Sequence, residues 1–253
     1  MNDKLQEYYK NVSKISLSRQ DFAKGLILPG HLSEDLAYLC GVLAGDGNIH
    51  IREHKYDYTL KCVGNPLDEI TFYQKVITPL FRSVFNLRLK IGYKDKRTTF
   101  GFVAHSRALC TYLTEVIQLP QGKKHPSLRI PEIFLDSKKL EIAFIRGLFD
   151  TDGCISFKKG NKPFPHYPVI ALSSKTKELI KQTAYILKKL GFEICETYDY
   201  KIKDKRIKKG YIIRNVIELN GEKNLSQWMK IINFSNTKHL KKIEKQKSSA
   251  GRI

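Results

Sequence analysis

Two aspartates, Asp46 and Asp152, each precede a glycine, Gly47 and Gly153, at the end of a run of small and apolar residues. A carboxylate is electrostatically misplaced at a helix C-terminus, where it faces the negative end of the peptide macrodipole, and two brought together repel each other as well. A hard divalent cation removes both conflicts. Carboxylates and the free carbonyls of a last helical turn are oxygen ligands that suit Mg²⁺, with water and phosphate oxygens completing its shell. One isolated Asp-Gly ordinarily marks a plain turn; two in matched settings point to a cation site.

The settings match because the chain repeats itself. "YLCGVLAGDGNIHI" at 38–51 returns as "FIRGLFDTDGCISF" at 144–157, an offset of 106 residues. Ser33 and Ser137 stand where each helix would begin. Gly41 and Gly45 lie four apart, with Gly147 and Thr151 at the matching positions, so each helix has a face of small residues that lets two backbones approach closely. Packed about a pseudo-twofold axis, the helices would bring Asp46 and Asp152 side by side, with Gly47 and Gly153 leaving each helix at positive φ.

The elements after each copy also correspond. The first half reads as strands near 48–54 and 57–64, a helix from Pro66 to about Phe85, strands near 87–94 and 98–104, and a helix over 106–117. The second reads as strands near 154–159 and 167–174, a helix over 176–190 stopped by Gly191, strands near 192–200 and 211–219, and a helix over 222–232. Each half is α-β-β-α-β-β-α, an α+β fold. The expected organisation is an N-terminal extension over 1–32, a first repeat over 33–118, a linker over 119–136, a second repeat over 137–235 and a basic, helical tail over 236–253. The linker is expected from "LPQGKKHPSLRIP" at 119–131, with its three prolines, glycine and four basic side chains.

The 253 residues are 42% apolar, enough for a real core, and carry a formal charge of +20. Self-repulsion of that size weakens a compact state unless a polyanion relieves it, so nucleic acid is the expected partner. No apolar run of transmembrane length and no secretory signal is present, which makes a membrane partner unexpected and an intracellular address the expected one. Five dispersed cysteines, Cys40, Cys62, Cys110, Cys154 and Cys195, form no CxxC pair and read as small core residues.

"LCGVLAGDG" (39–47) and "IRGLFDTDG" (145–153) resemble the two signature helices of the LAGLIDADG homing endonucleases, in the single-chain, two-repeat form. The similarity covers about residues 33–235. It implies two αββαββα halves whose four-stranded antiparallel sheets form a saddle over duplex DNA, with the signature helices paired between them. It also implies that Asp46 and Asp152 bind the metals used to cut the two strands, Mg²⁺ or another divalent cation such as Mn²⁺ or Ca²⁺, with the carbonyls of Gly45 and Thr151 as further ligands. Short 3′ overhangs would result. Family enzymes often place a Gln and a Lys beside the metals. Gly64 and Ser174 align with the Gln, at the end of each half's second strand, and Asn65 and Lys175 follow, making Lys175 the candidate catalytic lysine. Arg146 and Asp150 stand where the first copy has Cys40 and Ala44, an asymmetry that could hold an ion pair of its own.

In "NIHIREHKYDYTLKC", Ile49 and Ile51 alternate with Asn48, His50 and Arg52, so one sheet face is core and the other is wet and available for base reading. The candidate DNA contacts are Asn48, His50, Arg52, Lys61, Arg88, Lys90, Lys94, Arg97, Ser156, Lys158 and Arg214. Lys201, Lys203, Lys205 and Arg206 join them from the hairpin cluster "KIKDKRIKK" at 201–209. A strand of about eight residues spans roughly 26 Å, so two halves would cover somewhere near 16–20 base pairs of an asymmetric site.

"HIREH" at 50–54 fits a zinc pattern, but that geometry needs a helix and this segment alternates as a strand. Aspartic-protease chemistry would pair two aspartates in Asp-Thr-Gly loops and has no use for such a charge. The remaining histidines, His31, His105, His125, His166 and His239, read as surface or core filler. An intein is disfavoured by the initial Met and the final "SSAGRI". The expectation is a monomeric, site-specific, Mg²⁺-dependent double-strand DNA endonuclease. The rivals are an RNA maturase acting on its host intron and a basic DNA-binding regulator without chemistry.

Overall fold

In the computed structural model, which describes residues 3–159, 166–206 and 208–250, the chain enters through two short helices, α1 (Asp3–Ser13) and α2 (Arg19–Ala23). These belong to the stretch expected as an extension, and they are tied down. Tyr8 is buried, and its hydroxyl meets the Tyr112 hydroxyl at 2.9 Å and donates to the Pro29 carbonyl at 2.7 Å. Ser33 then accepts the Leu36 N–H at 3.1 Å and caps α3 (Glu34–Asp46), satisfying one of the donors a helix start leaves free.

Antiparallel strands β1 (Gly47–Arg52) and β2 (Asp57–Gly64) follow, then helix α4 over 70–85, strands β3 (Ile91–Lys94) and β4 (Thr99–His105), and helix α5 over 107–116. Helix α4 begins at Ile70 rather than near Pro66 because Asn65 makes a turn there: its carbonyl accepts the Asp68 and Glu69 N–H groups and its side chain that of Leu67. Within α4, the turn Tyr73–Ile77 widens to a π-helix just before Pro79. Pro79 brings no N–H and its ring would press on the preceding turn, and the widened turn relieves both. Strand β3 starts at Ile91 rather than 87, since its ladder with β4 runs only from Ile91↔Phe102 to Lys94↔Thr99.

The second half repeats this order with α6 (Lys138–Thr151), β5 (Gly153–Lys159), β6 (His166–Ser174), α7 (Lys177–Lys189), β7 (Ile194–Lys203), β8 (Tyr211–Asn220) and α8 (Gly221–Ile231). The tail forms α9 (Thr237–Ala250), anchored through buried His239 and Ile243. The two four-stranded antiparallel sheets are ordered β1-β2-β4-β3 and β5-β6-β8-β7, the same topology twice. In β1 the pattern is regular, with Ile49 buried and Asn48, His50 and Arg52 exposed. The helices cover the apolar face of each sheet, around Phe81, Phe85, Phe102 and Tyr112 in the first half and Phe149, Phe192 and Trp228 in the second. Cys40, Cys62 and Cys110 are buried as expected, whereas Cys154 and Cys195 are exposed, on strand positions of the wet face.

Helices α3 and α6 pack backbone against backbone along the small residues. A methyl group on Gly41 would lie 2.1 Å from the Phe144 carbonyl oxygen, and one on Gly147 would lie 2.2 Å from that of Tyr38. These contacts are twofold mates, since Gly41 and Gly147, like Tyr38 and Phe144, occupy matching positions in the two copies. Gly47 and Gly153 serve a different purpose from the one expected. Neither has positive φ, Gly47 being extended at φ −76°, ψ 154°. The strand folds back at once over the helix end, and a methyl group on either would lie 2.5 Å from the carbonyl of Leu43 or Phe149 in the last turn.

Candidate active site and nucleic-acid interface

The close packing of α3 and α6 delivers their C-terminal ends to one place. Asp46 is the last residue of α3 and Asp152 caps α6. A methyl group on Gly45 would lie 2.0 Å from Thr151 Oγ1 and 3.4 Å from the Asp152 carboxyl carbon, so the end of α3 abuts the end of α6 and its carboxylate. Asp46 is half-buried and Asp152 is exposed, yet protein surrounds their carboxyl groups. Burial, then the charges of Glu69 and Asp152, push Asp46 up to about 7, while Lys238 and Lys124 pull it back. Burial likewise raises Asp152, opposed by Lys124, Lys238 and Arg214.

Two lysines outside the signature helices complete this centre. Lys124 Nζ donates to the Ala44 carbonyl at 2.8 Å and to the Gly45 carbonyl. Lys238 Nζ donates to the Thr151 carbonyl at 3.0 Å and to Glu69 Oε1 at 2.8 Å. Each ammonium group therefore sits over the last carbonyls of one helix. Both act on both aspartates, with Lys124 the leading favourable charge at Asp152 and Lys238 at Asp46. Burial lowers the pKa of Lys124, against the attraction of Asp152 and the other acidic groups near it.

Sequence reasoning missed both lysines because Lys124 lies in the segment read as a linker and Lys238 in the tail. The signal was a Lys-His pair after each repeat, Lys124-His125 and Lys238-His239. The linker is in fact clamped to β1, where Gly122 N–H donates to the Ile49 carbonyl at 2.7 Å and Gln121 Nε2 to that of Ile51 at 3.0 Å. Lys175 is placed elsewhere. It lines an open groove with His125, Lys177 and Tyr211, and its charge acts on Asp204 in the hairpin turn. The ammonium groups on the helix-end carbonyls are those of Lys124 and Lys238, and Lys175 is not brought together with them.

Arg146 and Asp150 do not form an ion pair. Arg146 Nε reaches the Ile232 carbonyl, whereas buried Asp150 accepts the Tyr38 hydroxyl at 2.7 Å and the N–H groups of Ser235 and Asn236 at 3.0–3.1 Å. Burial lifts Asp150 to about 6 against these donors.

The donor set fits a hard divalent cation. Among the described residues no three His, Cys, Asp or Glu side chains converge on one point, so each cation position would take one carboxylate and a helix-end carbonyl from the protein. That leaves most of an octahedral shell to water and phosphate, the arrangement Mg²⁺ favours. Carbonyls that already attract an ammonium group are also suited to a metal ion.

On the wet face of the first sheet, Asn48, His50 and Arg52 stand opposite Lys61, Thr59 and Asp57. Arg52 pairs with Asp57 and Lys61 with Asp95, the latter at 2.8 Å, and Asn48 Nδ2 donates to the Gly122 carbonyl at 3.2 Å. Arg88 and Lys90 are exposed beside Val103 and His105, Lys94 ends β3, and Arg97 lies over the Tyr93 ring. In the second sheet Ser156 and Lys158 are exposed, with Lys158 3.4 Å from Glu218.

Lys201 and Lys203 leave that face. Between Thr197 and Tyr200 a bulge, with Asp199 at φ 54°, shifts the register, so Tyr200 and Ile202 pair with Arg214 and Ile212 on the wet side. Lys201 and Lys203 pair with Ile213 and Tyr211 on the other side, where Lys201 lies over the Tyr211 ring. Lys205 is exposed in the turn, and Arg206 is held by Asp204 at 2.8–2.9 Å. Among the described residues no helix is long and apolar enough to cross a membrane.

The LAGLIDADG-like domain family matches residues 139–243, the second repeat and the start of its tail. The chain is 27% identical over 257 residues to a probable translation initiation factor IF-2 of Methanocaldococcus jannaschii, covering 96% of this chain and 20% of that protein. It is 30% identical over 132 residues to the ribonucleoside-diphosphate reductase NrdEB subunit alpha of Bacillus subtilis, covering 48% of this chain and 11% of that one. The chain thus spans only a fifth or less of these relatives. In fold it is similar to I-DmoI in complex with DNA and Mn, with a TM-score of 0.54 and 20% identity over 80% of this chain and 97% of that one. A structure of I-DmoI with DNA and Ca gives 0.53, at 20% identity over 79% and 88%. Residues 139–243 thus match the LAGLIDADG-like domain, and the whole chain builds the same helix-strand order twice around two paired helices, a fold similar to that of I-DmoI.

Proposed function

We propose that the chain is a monomeric, site-specific DNA endonuclease that uses divalent cations to cut both strands of a long, asymmetric duplex site. The observation that carries this reading is the adjoining pair of helix ends, each with an aspartate and an ammonium group on its last carbonyls, with both ammonium groups acting on both aspartates. The cation positions we infer are crossed, Asp46 with the Thr151 carbonyl and Asp152 with the Gly45 carbonyl. Two equivalent centres between two matched sheets are what two antiparallel strands require. The solved I-DmoI complexes with DNA and Mn, Mg or Ca support a divalent cation.

When bound, the cations supply Lewis-acid neutralisation of the phosphate and a more acidic water. The chain's own groups do the rest. Asp46 and Asp152 hold the cations with the Gly45 and Thr151 carbonyls. Lys124 and Lys238 offset charge on the phosphate, and the lowered pKa of Lys124 brings proton exchange at its Nζ closer to neutral pH. Arg214, whose charge already acts on Asp152, draws the backbone into the centre. The exposed rows of the two sheets read bases in the major groove.

The test is incubation with a randomised duplex library and Mg²⁺, followed by sequencing of cut ends. Short 3′ overhangs at one recurring site, lost in Asp46→Ala and Asp152→Ala, are expected. Binding of structured intron RNA with no cut duplex would favour the maturase reading instead.

A further inference from the structure

Glu69 is a buried carboxylate that neither copy of the repeat calls for. It lies at the head of α4 in the first half and is 3% exposed. Its Oε2 accepts the Asn65 N–H at 2.6 Å. Its Oε1 accepts Lys238 Nζ at 2.8 Å and Asn236 Nδ2 at 2.9 Å, both from the segment that follows the second half. Gly64 makes the room, since a methyl group there would lie 2.1 Å from Glu69 Oε2.

The donors it receives are themselves fixed. Asn236 Nδ2 also donates to the Asp150 carbonyl at 2.9 Å, and the Asp150 carboxylate holds the Ser235 and Asn236 N–H groups. Lys238 is thereby clamped between Thr151 of its own repeat and Glu69 of the other. Lys124 has only the carbonyls of Ala44 and Gly45 as hydrogen-bond acceptors among the described residues.

We propose that Glu69 is a positioning residue that holds Lys238 over Thr151, so that one of the two strand cuts depends on an ion pair between the repeats that the other cut lacks. The inference rests on the nuclease reading for its effect on cleavage, and on the ion pair alone for the placement of Lys238. Removing the carboxylate frees Lys238 to follow solvent, and the strand it serves is cut late. The enzyme then releases a nicked duplex in place of a double-strand break.

The experiment measures single-turnover cutting of each labelled strand by wild type, Glu69→Ala, Gly64→Ala, Lys238→Ala and the Glu69→Ala/Lys238→Ala double variant. Gly64→Ala displaces the carboxylate without removing it, and circular dichroism confirms that each variant folds. Glu69→Ala and Gly64→Ala are expected to slow one strand at least about tenfold and the other less than about twofold. Lys238→Ala is expected to slow the same strand, with no further loss in the double variant. Equal slowing of both strands, or losses that add in the double variant, would overturn the proposal.

A second readout is independent of cleavage: acetylation of Lys238 by acetic anhydride in the full chain, quantified by mass spectrometry against Lys124. Severalfold faster labelling of Lys238 alone in Glu69→Ala supports the clamp, and unchanged labelling overturns it. Should wild type cut neither strand, the nuclease reading fails and this labelling still decides where Glu69 holds Lys238.

Discussion

At the residue scale the decisive quantity is the ionisation of Asp46. Its folded pKa of about 7 lies above the ordinary 3.8, so folding favours the protonated form. That contribution to stability is fully present below about pH 4 and is lost as pH rises through about 7. With divalent metal chelated, thermal stability should therefore fall between pH 5 and pH 8, and Asp46→Asn should remove most of that fall. At pH 8 the variant should be more stable than wild type by at least about 1 kcal/mol, and at pH 4 equal to it, as measured by calorimetric melting. Affinity for Mn²⁺ should show the opposite dependence, weakening about tenfold for each pH unit below 7 as the proton competes. The two aspartates were legible in the sequence because a plain turn has no need of the small-residue helix that precedes Asp-Gly in both copies. Lys124, Lys238 and Glu69 were not, because each reaches the centre from a segment whose local pattern says only linker, tail or helix start. Their roles come from tertiary contacts that no periodicity encodes.

At the element scale the two signature helices carry the largest steric demand. Gly41 and Gly147 face backbone carbonyls, which cannot rotate away as a side chain can. Gly41→Ala or Gly147→Ala should lower unfolding free energy by about 2–4 kcal/mol in urea titrations. Gly92→Ala, with nothing within 4 Å of the added methyl, should change it by less than about 0.5 kcal/mol. Small-residue spacing revealed this packing in the sequence, whereas the exit of each helix was misread. Gly47 is required by the tight return of β1 over Leu43, not by φ. The hairpin shows a second limit of periodicity. A strict period of two puts Lys201 and Lys203 in line with Thr197 on the wet face, and the bulge at Asp199 turns them away. Arg214→Ala should consequently weaken duplex binding by about tenfold in fluorescence anisotropy, and Lys203→Ala by less than about threefold.

At the scale of the whole molecule, a charge of +20 is spread over a twofold scaffold whose two halves have diverged. The wet face of the first sheet carries its own acids, with Asp57 on Arg52 and Asp95 on Lys61, so the proposed duplex would compete with them for those basic side chains. Divergence also gives Lys238 a carboxylate partner and Lys124 none among the described residues. The overall plan, two αββαββα halves joined through paired helices, was readable from the repeat and the resemblance alone. The terminal segments were not, and they form parts of the core and of the centre. Residues 3–13 bury Tyr8, and α9 brings Lys238 to Thr151.

Anomalous scattering from Mn²⁺, in crystals of the chain with the duplex recovered from the library, decides whether the crossed helix ends hold the cations. Two peaks are expected there, one touching Asp46 and the Thr151 carbonyl and the other Asp152 and the Gly45 carbonyl. Peaks confined to surface carboxylates, or ligated without Asp46 and Asp152, would contradict the proposed nuclease centre.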